Sequence, residues 1–230
     1  MQGAESPNTT YRGYRSQVHT PIKLIIWGCG GHAREVNLLC EQIGHEVIGF
    51  IDERPEMKGA IVDDIPVLGD IGDIIEMRNE VEVVCAGVGD PALKKRFAEK
   101  TVSAGFKLAE TLIHPSVYIS KRNRLGIGSV ICAGSLLTVG IQIGDFVIIN
   151  RITNIGHDVV ISDFATISPG VNVSGNVTIG EGAYIGTGAS IREKVRVGAW
   201  SVIGGGAFVN CDVPDKTLYA GVPAVFKKIL

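Results

Sequence analysis

One histidine stands out in the second half of this 230-residue chain, a region sparse in ionisable groups. His157 lies in Asn154-Ile155-Gly156-His157-Asp158, and Gly175, in Ser174-Gly175-Asn176, follows eighteen residues later. An imidazole accepts protons near neutral pH, and a glycine lets another group approach its backbone N–H closely. Together they make the minimum constellation for acyl transfer: a proton acceptor and an oxyanion donor. The plainer alternative is a solvated turn histidine beside an ordinary turn glycine. Asp158 either orients the imidazole and fixes its tautomer or solvates the turn. Asn150 and Asn154, at outward positions before the histidine, either bind a polar substrate or cap turns. No serine or cysteine pairs with His157 by spacing, which favours direct transfer over an acyl-enzyme.

A second group lies near the start. Gly28-Cys29-Gly30-Gly31-His32-Ala33 reads G-x-G-x-x-A between an apolar run and a helical pattern, with Asp52 nineteen residues beyond Ala33. This fits a nucleotide-binding turn: the glycines let a diphosphate approach a helix N-terminus, and Asp52 can accept from a ribose hydroxyl. The alternative is a tight strand–helix turn with no ligand. His32 either touches phosphate or is an exposed polar residue. An NAD(P)-binding oxidoreductase is the rival from a different class, but an α/β segment of about 85 residues is half a full dinucleotide fold. Arg192, Lys194 and Arg196, with Lys227 and Lys228, are solvated surface or meet a phosphorylated cofactor.

The elements that must position these residues follow two patterns. Between Lys23 and Glu110, 26 of 88 residues are charged; between Ile113 and Val209, 12 of 97 are. The shift places a boundary near 109–113. In the first part, Ile22–Trp27, Val47–Ile51 and Val81–Ala86 read as buried strands. Val36, Leu39, Cys40 and Ile43 form one face of a helix. A short helix is expected around 70–78, and Pro91 opens another running to about Ala104. The second part repeats every six residues. From Ile113 to Val209 in steps of six, all seventeen positions are Ile, Leu or Val. This is the hexapeptide pattern of a parallel β-helix, in which three hexads close one triangular coil. Residues eighteen apart then stack about 4.8 Å apart. Phe146, Phe164 and Trp200 fall on one corner, with Gly182 among them. They are either a corner that tolerates rings or a stripe buried against another subunit. The expected architecture is a lead-in over 1–21, a Rossmann-like parallel α/β domain over 22–110, and a left-handed β-helix with a C-terminal cap over 111–230.

Composition agrees with a narrow aliphatic core: 45% hydrophobic, only 6% aromatic, and 30 glycines. A net charge of -2 excludes an electrostatic footprint for nucleic acid. No apolar run is long enough for a membrane span, and no signal peptide is apparent, so a reducing cytoplasm is expected. Five scattered cysteines without a CxxC pair indicate neither a disulfide framework nor a thiolate metal site. A histidine-ligated metal of the β-helix carbonic anhydrase kind is not expected. The repeat offers only His114 and His157, 43 residues apart.

The glycine-rich α/β unit, the His114-Pro115 boundary, the hexads with His157-Asp158, then Asp212-Val213-Pro214 and Gly221-Val222-Pro223-Ala224 resemble one family. It is the sugar acyltransferase family of the sialic acid O-acetyltransferase type, whose members include N-acetyltransferases of nucleotide-linked 4-amino sugars. The likeness spans about 22–228. It implies acetyl-CoA as co-substrate, no metal, a nucleotide-sugar substrate, and a homotrimer with active sites between subunits. The implied role is in bacterial surface glycan synthesis, with acetyl moving to a 4-amino group; a sialic acid hydroxyl is the alternative acceptor. By the same likeness, His157 is the general base, Asp158 its acidic neighbour and Gly175 the oxyanion amide. Ser174, Gly175, Thr187, Gly205 and Lys227 would meet the cofactor. Gly28, Gly30, Gly31, His32, Asp52 and Asn150 would meet the substrate. The N-terminal lead-in and Cys29 depart from the family pattern.

Overall fold

The computed structural model describes residues 21–230, so the reading of the lead-in falls outside the described residues but for residue 21. The first apolar run forms β1 (Lys23–Trp27), followed by α1 (Gly31–Gln42) and β2 (Glu46–Ile51). A small hairpin of β3 (Ile61–Val62) and β4 (Ile65–Pro66) comes next, then β5 (Glu82–Val84), α2 (Pro91–Ser103) and β6 (Lys107–Leu108). β1, β2, β5 and β6 make a parallel sheet in the order β2-β1-β5-β6. The helix expected around 70–78 is a 3-10 helix over Ile71–Met77, started by an Asp70–Asp73 capping box. α2 starts as its sequence suggests: the Asp90 carboxylate accepts from Leu93 N–H, and Pro91 needs no N–H of its own.

Alternation along β1 sends residues to opposite faces of the sheet. Leu24 and Ile26 pack with Ala33, Val36, Leu39 and Cys40 of α1. Ile25 and Trp27 pack with Phe97 and Ala98 of α2. Trp27 stacks on Phe97 at 4.2 Å, and its indole N–H bonds Thr101 Oγ1 at 2.8 Å, so the buried ring has both its apolar and its polar needs met.

From Leu112–Ile113 to Phe208–Val209 the chain makes seventeen two-residue strands, and the second residue of each is a step of the six-residue ladder. They pair in parallel with a register of eighteen, as in Ile131 with Ile149 and Ile149 with Ile167, and form three faces. The first face runs through Ile148–Ile149 and Thr166–Ile167, the second through Asn154–Ile155 and Asn172–Val173, and the third through Val160–Ile161 and Thr178–Ile179. The ladder residues fill the interior as one continuous core. Thr217–Ala220 and the antiparallel strand Val225–Ile229 extend the first face at the C-terminal end. Glycine directly after a ladder residue has a steric reason. A Cβ on Gly156 would lie 2.8 Å from Gly175 N, on the coil above. A second glycine position recurs three residues after the ladder, where every sixth residue from Gly128 to Gly206 has positive φ. Half of these are not glycine; Phe146, Ile152, Asp158 and Trp200 are among them.

The α/β unit lies on the first face of the coil. Val130, Cys132 and Ile148 of that face join the α1-side core. Phe146 joins the α2-side core, stacked on Phe164 at 5.2 Å, and Lys95 of α2 lies over the rings of Phe164 and Trp200. Phe146 is thus buried under the chain's own α2, which half-buries Phe164 and Trp200. Column spacing reveals such a stripe but not which surface covers it.

Candidate active site

Two groups of candidate residues sit on different sides of the solenoid. His157 and Asp158 occupy the turn between Asn154–Ile155 on the second face and Val160–Ile161 on the third. That corner lies opposite the first face, where the α/β unit docks. Asp158 takes the left-handed conformation, with φ 57°, and its N–H bonds Val139 O one coil back. This aims its carboxylate at the neighbouring ring: Oδ2 lies 2.9 Å from His157 Nδ1. With the Nδ1 proton donated to Asp158, Nε2 carries the free lone pair.

The ring rests on Gly175. A Cβ there would lie 2.5 Å from His157 Nε2 and 2.6 Å from its Cε1, so only glycine admits the imidazole. His157 O accepts from Asn176 N–H and Gly175 O accepts from Lys194 N–H, which ties the coils together around the pair. Among the described residues, the N–H of Gly175 has no hydrogen-bond partner. A free imidazole nitrogen beside an open amide, with half-exposed side chains around them, can take a proton and stabilise an oxyanion.

The remaining cofactor candidates are spread wider. Ser174 adjoins Gly175 at the histidine corner, whereas Thr187 and Gly205 stack at the corner between the first and second faces, with Gly206 N–H bonded to Thr187 O. Both Thr187 and Gly205 are exposed, and Lys227 is exposed on the C-terminal strand. Asn150 also lies at the first-to-second corner, and its Oδ1 accepts from Arg151 N–H. Asn154 is outward on the second face and bonds Asn172 across one coil.

The glycine turn sits at the start of α1. Gly28 has φ 84° and donates to Ile51 O, which closes the turn onto β2. Gly30 is the N-cap without a side-chain cap, and a Cβ on Gly30 or Gly31 would meet nothing within 4 Å. Both glycines are exposed, and the unpaired first N–H groups of an α-helix are the groups an anion site uses. Gly87 is a close approach that sequence reading missed, since its Cβ would strike Trp27 O. His32 is largely buried; burial pushes its pKa down, and the nearby Glu35 opposes this in part. Glu35 also pairs with Arg151, which links α1 to the Asn150 corner.

Asp52 lies at the end of β2, and the chain's own donors surround it. Arg54 bonds it through its backbone N–H, Nε and Nη2, and the Cys29 thiol through Sγ. Arg54 holds the Asp52 carboxyl down at about 2, while burial and Asp52 push the Cys29 thiol up to about 11. Neither Arg54 nor a role for Cys29 is apparent from the G-x-G-x-x-A pattern. The signal was Arg54 itself, two residues past the strand-end acid.

One lysine was also missed. Lys94 of α2 is fully buried and bonds Ala165 O at 3.0 Å and Thr166 Oγ1 at 2.8 Å on the first face. Burial holds its pKa well below the usual lysine range. Thr166 in turn donates to Gly89 O, so a polar knot joins the two parts of the chain.

All five cysteines are free, and no cluster of three or more His, Cys, Asp or Glu side chains among the described residues could hold a metal ion. No helix among them is long and apolar enough to cross a membrane.

Residues 23–101 match the PglD N-terminal domain, and 176–211 match the bacterial transferase hexapeptide repeats. Among solved structures, a perosamine N-acetyltransferase of Caulobacter crescentus with CoA and GDP-perosamine is 32% identical, with TM-score 0.82, over 90% of this chain and 97% of that one. The acetyltransferase domain of PglB from Neisseria gonorrhoeae with acetyl coenzyme A is 32% identical, with TM-score 0.77, over 92% and 100% of the two chains. WeeI of Acinetobacter baumannii is 27% identical, with TM-score 0.81, over 90% and 100%. Comparison with curated proteins gave no match. With these neighbours, the architecture is a small α/β unit followed by a left-handed parallel β-helix.

Proposed function

The chain belongs to the hexapeptide-repeat sugar acyltransferases of the sialic acid O-acetyltransferase type, and on that premise we propose that it moves acetyl from acetyl-CoA to the 4-amino group of a nucleotide-linked amino sugar. The observation that carries the reading is the seating of His157 on Gly175: Asp158 holds one ring nitrogen, the other is free, and the amide beside it is open.

Acetyl-CoA supplies the acetyl group as a thioester. His157 Nε2 takes the proton of the amine as it attacks, and the ring later returns a proton to the departing thiol. Asp158 keeps Nδ1 protonated and balances the charge of the imidazolium. Gly175 N–H faces the developing oxyanion. A base of this kind is worth about 10²–10⁴ in rate, and one oxyanion donor about 10²–10³. Exposed backbone at Gly205, with exposed Thr187 and Lys227 for polar contacts, fits a long phosphorylated co-substrate.

We read residues 22–110 as the part that holds the nucleotide and 111–230 as the part that carries the transfer chemistry. The turn of α1 and the His157 corner lie on opposite sides of one solenoid, so one copy cannot apply both to the same sugar. A homotrimer, with each site completed by a neighbour, resolves this. It also brings the separate candidates at 174–175 and 187–205 to one groove.

The test is acetyl transfer, followed by thiol release, to UDP-, GDP- and dTDP-linked 4-amino sugars, with CMP-sialic acid and free sialic acid as hydroxyl acceptors. An amine acceptor should dominate, and His157→Ala should lower kcat by about 10²–10⁴. A His157→Ala protein with the full rate would refute the base assignment. Preference for sialic acid would replace the amine acceptor with a hydroxyl.

A further inference from the structure

The nucleotide turn is built around a carboxylate that has nothing left to offer a ligand. Asp52 Oδ1 accepts from Arg54 N–H at 3.1 Å and Arg54 Nε at 2.8 Å. Its Oδ2 accepts from Arg54 Nη2 at 2.9 Å and from the Cys29 thiol at 3.1 Å. A carboxylate has about four lone-pair sites, and all four are occupied. A ribose hydroxyl that donates to Asp52 would have to displace a member of this set. Exposure points the same way: the Asp52 side chain is 10% exposed and that of Arg54 55%. Of this pair, the group that faces outward beside the glycine turn is the guanidinium.

Asp52 fixes one edge of that guanidinium, through Nε and Nη2. The edge left over carries parallel N–H bonds from Nη1 and Nη2, a planar two-donor fork. Arg54 Nη2 also donates to Cys29 Sγ at 3.4 Å, a weak acceptor that a ligand oxygen can displace, and this sets the fork beside the glycine turn, where Gly30 and Gly31 leave open space. The glycine turn therefore presents donors where the strand-end acid suggests an acceptor.

We propose that Arg54, held in place by Asp52 and the Cys29 thiol, is the nucleotide-reading group of this turn, and that its fork takes two adjacent acceptors of the nucleotide. Two chemical groups of a nucleotide sugar offer such a pair: the oxygens of the diphosphate, and the O6/N7 edge of guanine. Asp52 and Cys29 are positioning residues that touch the ligand only through Arg54. The inference rests on the nucleotide-sugar reading given above.

Calorimetric titration of the full chain with GDP, UDP, guanosine and inorganic pyrophosphate tests it, on wild type, Arg54→Ala, Arg54→Lys and Asp52→Asn. Thermal unfolding confirms that each variant is folded. Arg54→Ala should weaken GDP binding roughly tenfold to hundredfold. Arg54→Lys keeps the charge but not the fork, and should recover only a minor part of that loss. Equal losses for GDP, UDP and pyrophosphate identify the acceptors as phosphate oxygens. Losses confined to GDP and guanosine identify the guanine edge. The inference alone is overturned if Arg54→Ala binds GDP and UDP as tightly as wild type, or if Asp52→Asn loses affinity that Arg54→Ala keeps. If wild type binds none of the four ligands, the inference falls together with the reading it rests on.

Discussion

Two corners of the solenoid share one backbone and differ in what they leave open. Where the third face turns into the first, carboxylates reach back one coil. Asp145 accepts from Ile127 N–H, Asp163 from Asp145 N–H and Asp215 from Ala199 N–H, at 2.8, 2.8 and 2.9 Å. The column one residue further on holds the rings Phe146, Phe164 and Trp200, under α2. Where the second face turns into the third, the same column position holds Val139, His157, Gly175 and Glu193. No carboxylate reaches the Gly175 amide, and an imidazole lies against it. One corner is closed by hydrogen bonds and rings, and the other keeps a donor and a base in reach of solvent. The difference is set by single residues two places after the ladder, and the solenoid core beneath is the same at both. A rigid repeat can thus carry chemistry at one corner without weakening the others, because each corner residue is independent of the aliphatic ladder that holds the coil together.

The largest expected effect comes from closing the open corner. In Gly175→Ala, the new Cβ would lie 2.5 Å from His157 Nε2, so the ring must leave. The φ of Gly175 is not in the left-handed region, so the backbone itself accepts alanine. With the base displaced, kcat should fall by about 10²–10⁴, with a thermal midpoint near that of wild type. A large fall in midpoint with the rate retained would mean that the glycine serves packing alone. Asp158→Asn should come next, with a loss of roughly tenfold to hundredfold in kcat, because the amide no longer favours the tautomer that frees Nε2. A rate equal to wild type would make Asp158 a turn residue only.

Much of this was legible in the sequence, for a physical reason. The solenoid interior admits one aliphatic side chain per hexad, so the ladder from Ile113 to Val209 appears directly in the spacing, and eighteen-residue stacking placed Gly175 over His157 in advance. Most strands and helices of the α/β unit were legible from periodicity, but the 70–78 segment took a tighter helical form and the strand expected over Val81–Ala86 stops at Val84, where Cys85–Gly87 makes a 3-10 turn. What sequence could not show depends on contacts between distant parts of the chain. The cover on Phe164 comes from Lys95, and the partner of buried Lys94 comes from Thr166; neither pairing has a local signature. The same holds for Arg54, whose side chain turns back to occupy Asp52. The positive-φ corners at Phe146, Ile152 and Trp200 were hidden because glycine, the residue that usually marks that conformation, is absent there.

The closed corner should respond in stability rather than rate. Phe164→Ala removes a half-buried ring stacked on Phe146 and lying under Lys95, which should cost about 1–3 kcal/mol. Denaturant unfolding measures that loss. Acetyl transfer at saturating substrate should stay near the wild-type rate, because the ring lies across the solenoid from His157. A collapse of the rate with stability intact would mean that the two corners are coupled through the docking of α2.

The smallest effect should come from one carboxylate of the closed corner. Asp163 Oδ1 accepts from Asp145 N–H at 2.8 Å, at an exposed site where water can replace it. A single such bond contributes about 0.5–1.5 kcal/mol net, and exposure puts Asp163→Ala at the low end, about 0.5 kcal/mol. For a chain of this size that is a fall of roughly 1–2 °C in midpoint. Asp163→Asn keeps a side-chain oxygen for the same N–H and should recover most of it. The pair separates the hydrogen bond from the charge: if Asp163→Asn loses as much as Asp163→Ala, the contribution is electrostatic, and it should then shrink as salt is added. If neither variant moves the midpoint, the corner carboxylates do not close the coil, and the contrast with the Gly175 corner rests on the aromatic stack alone.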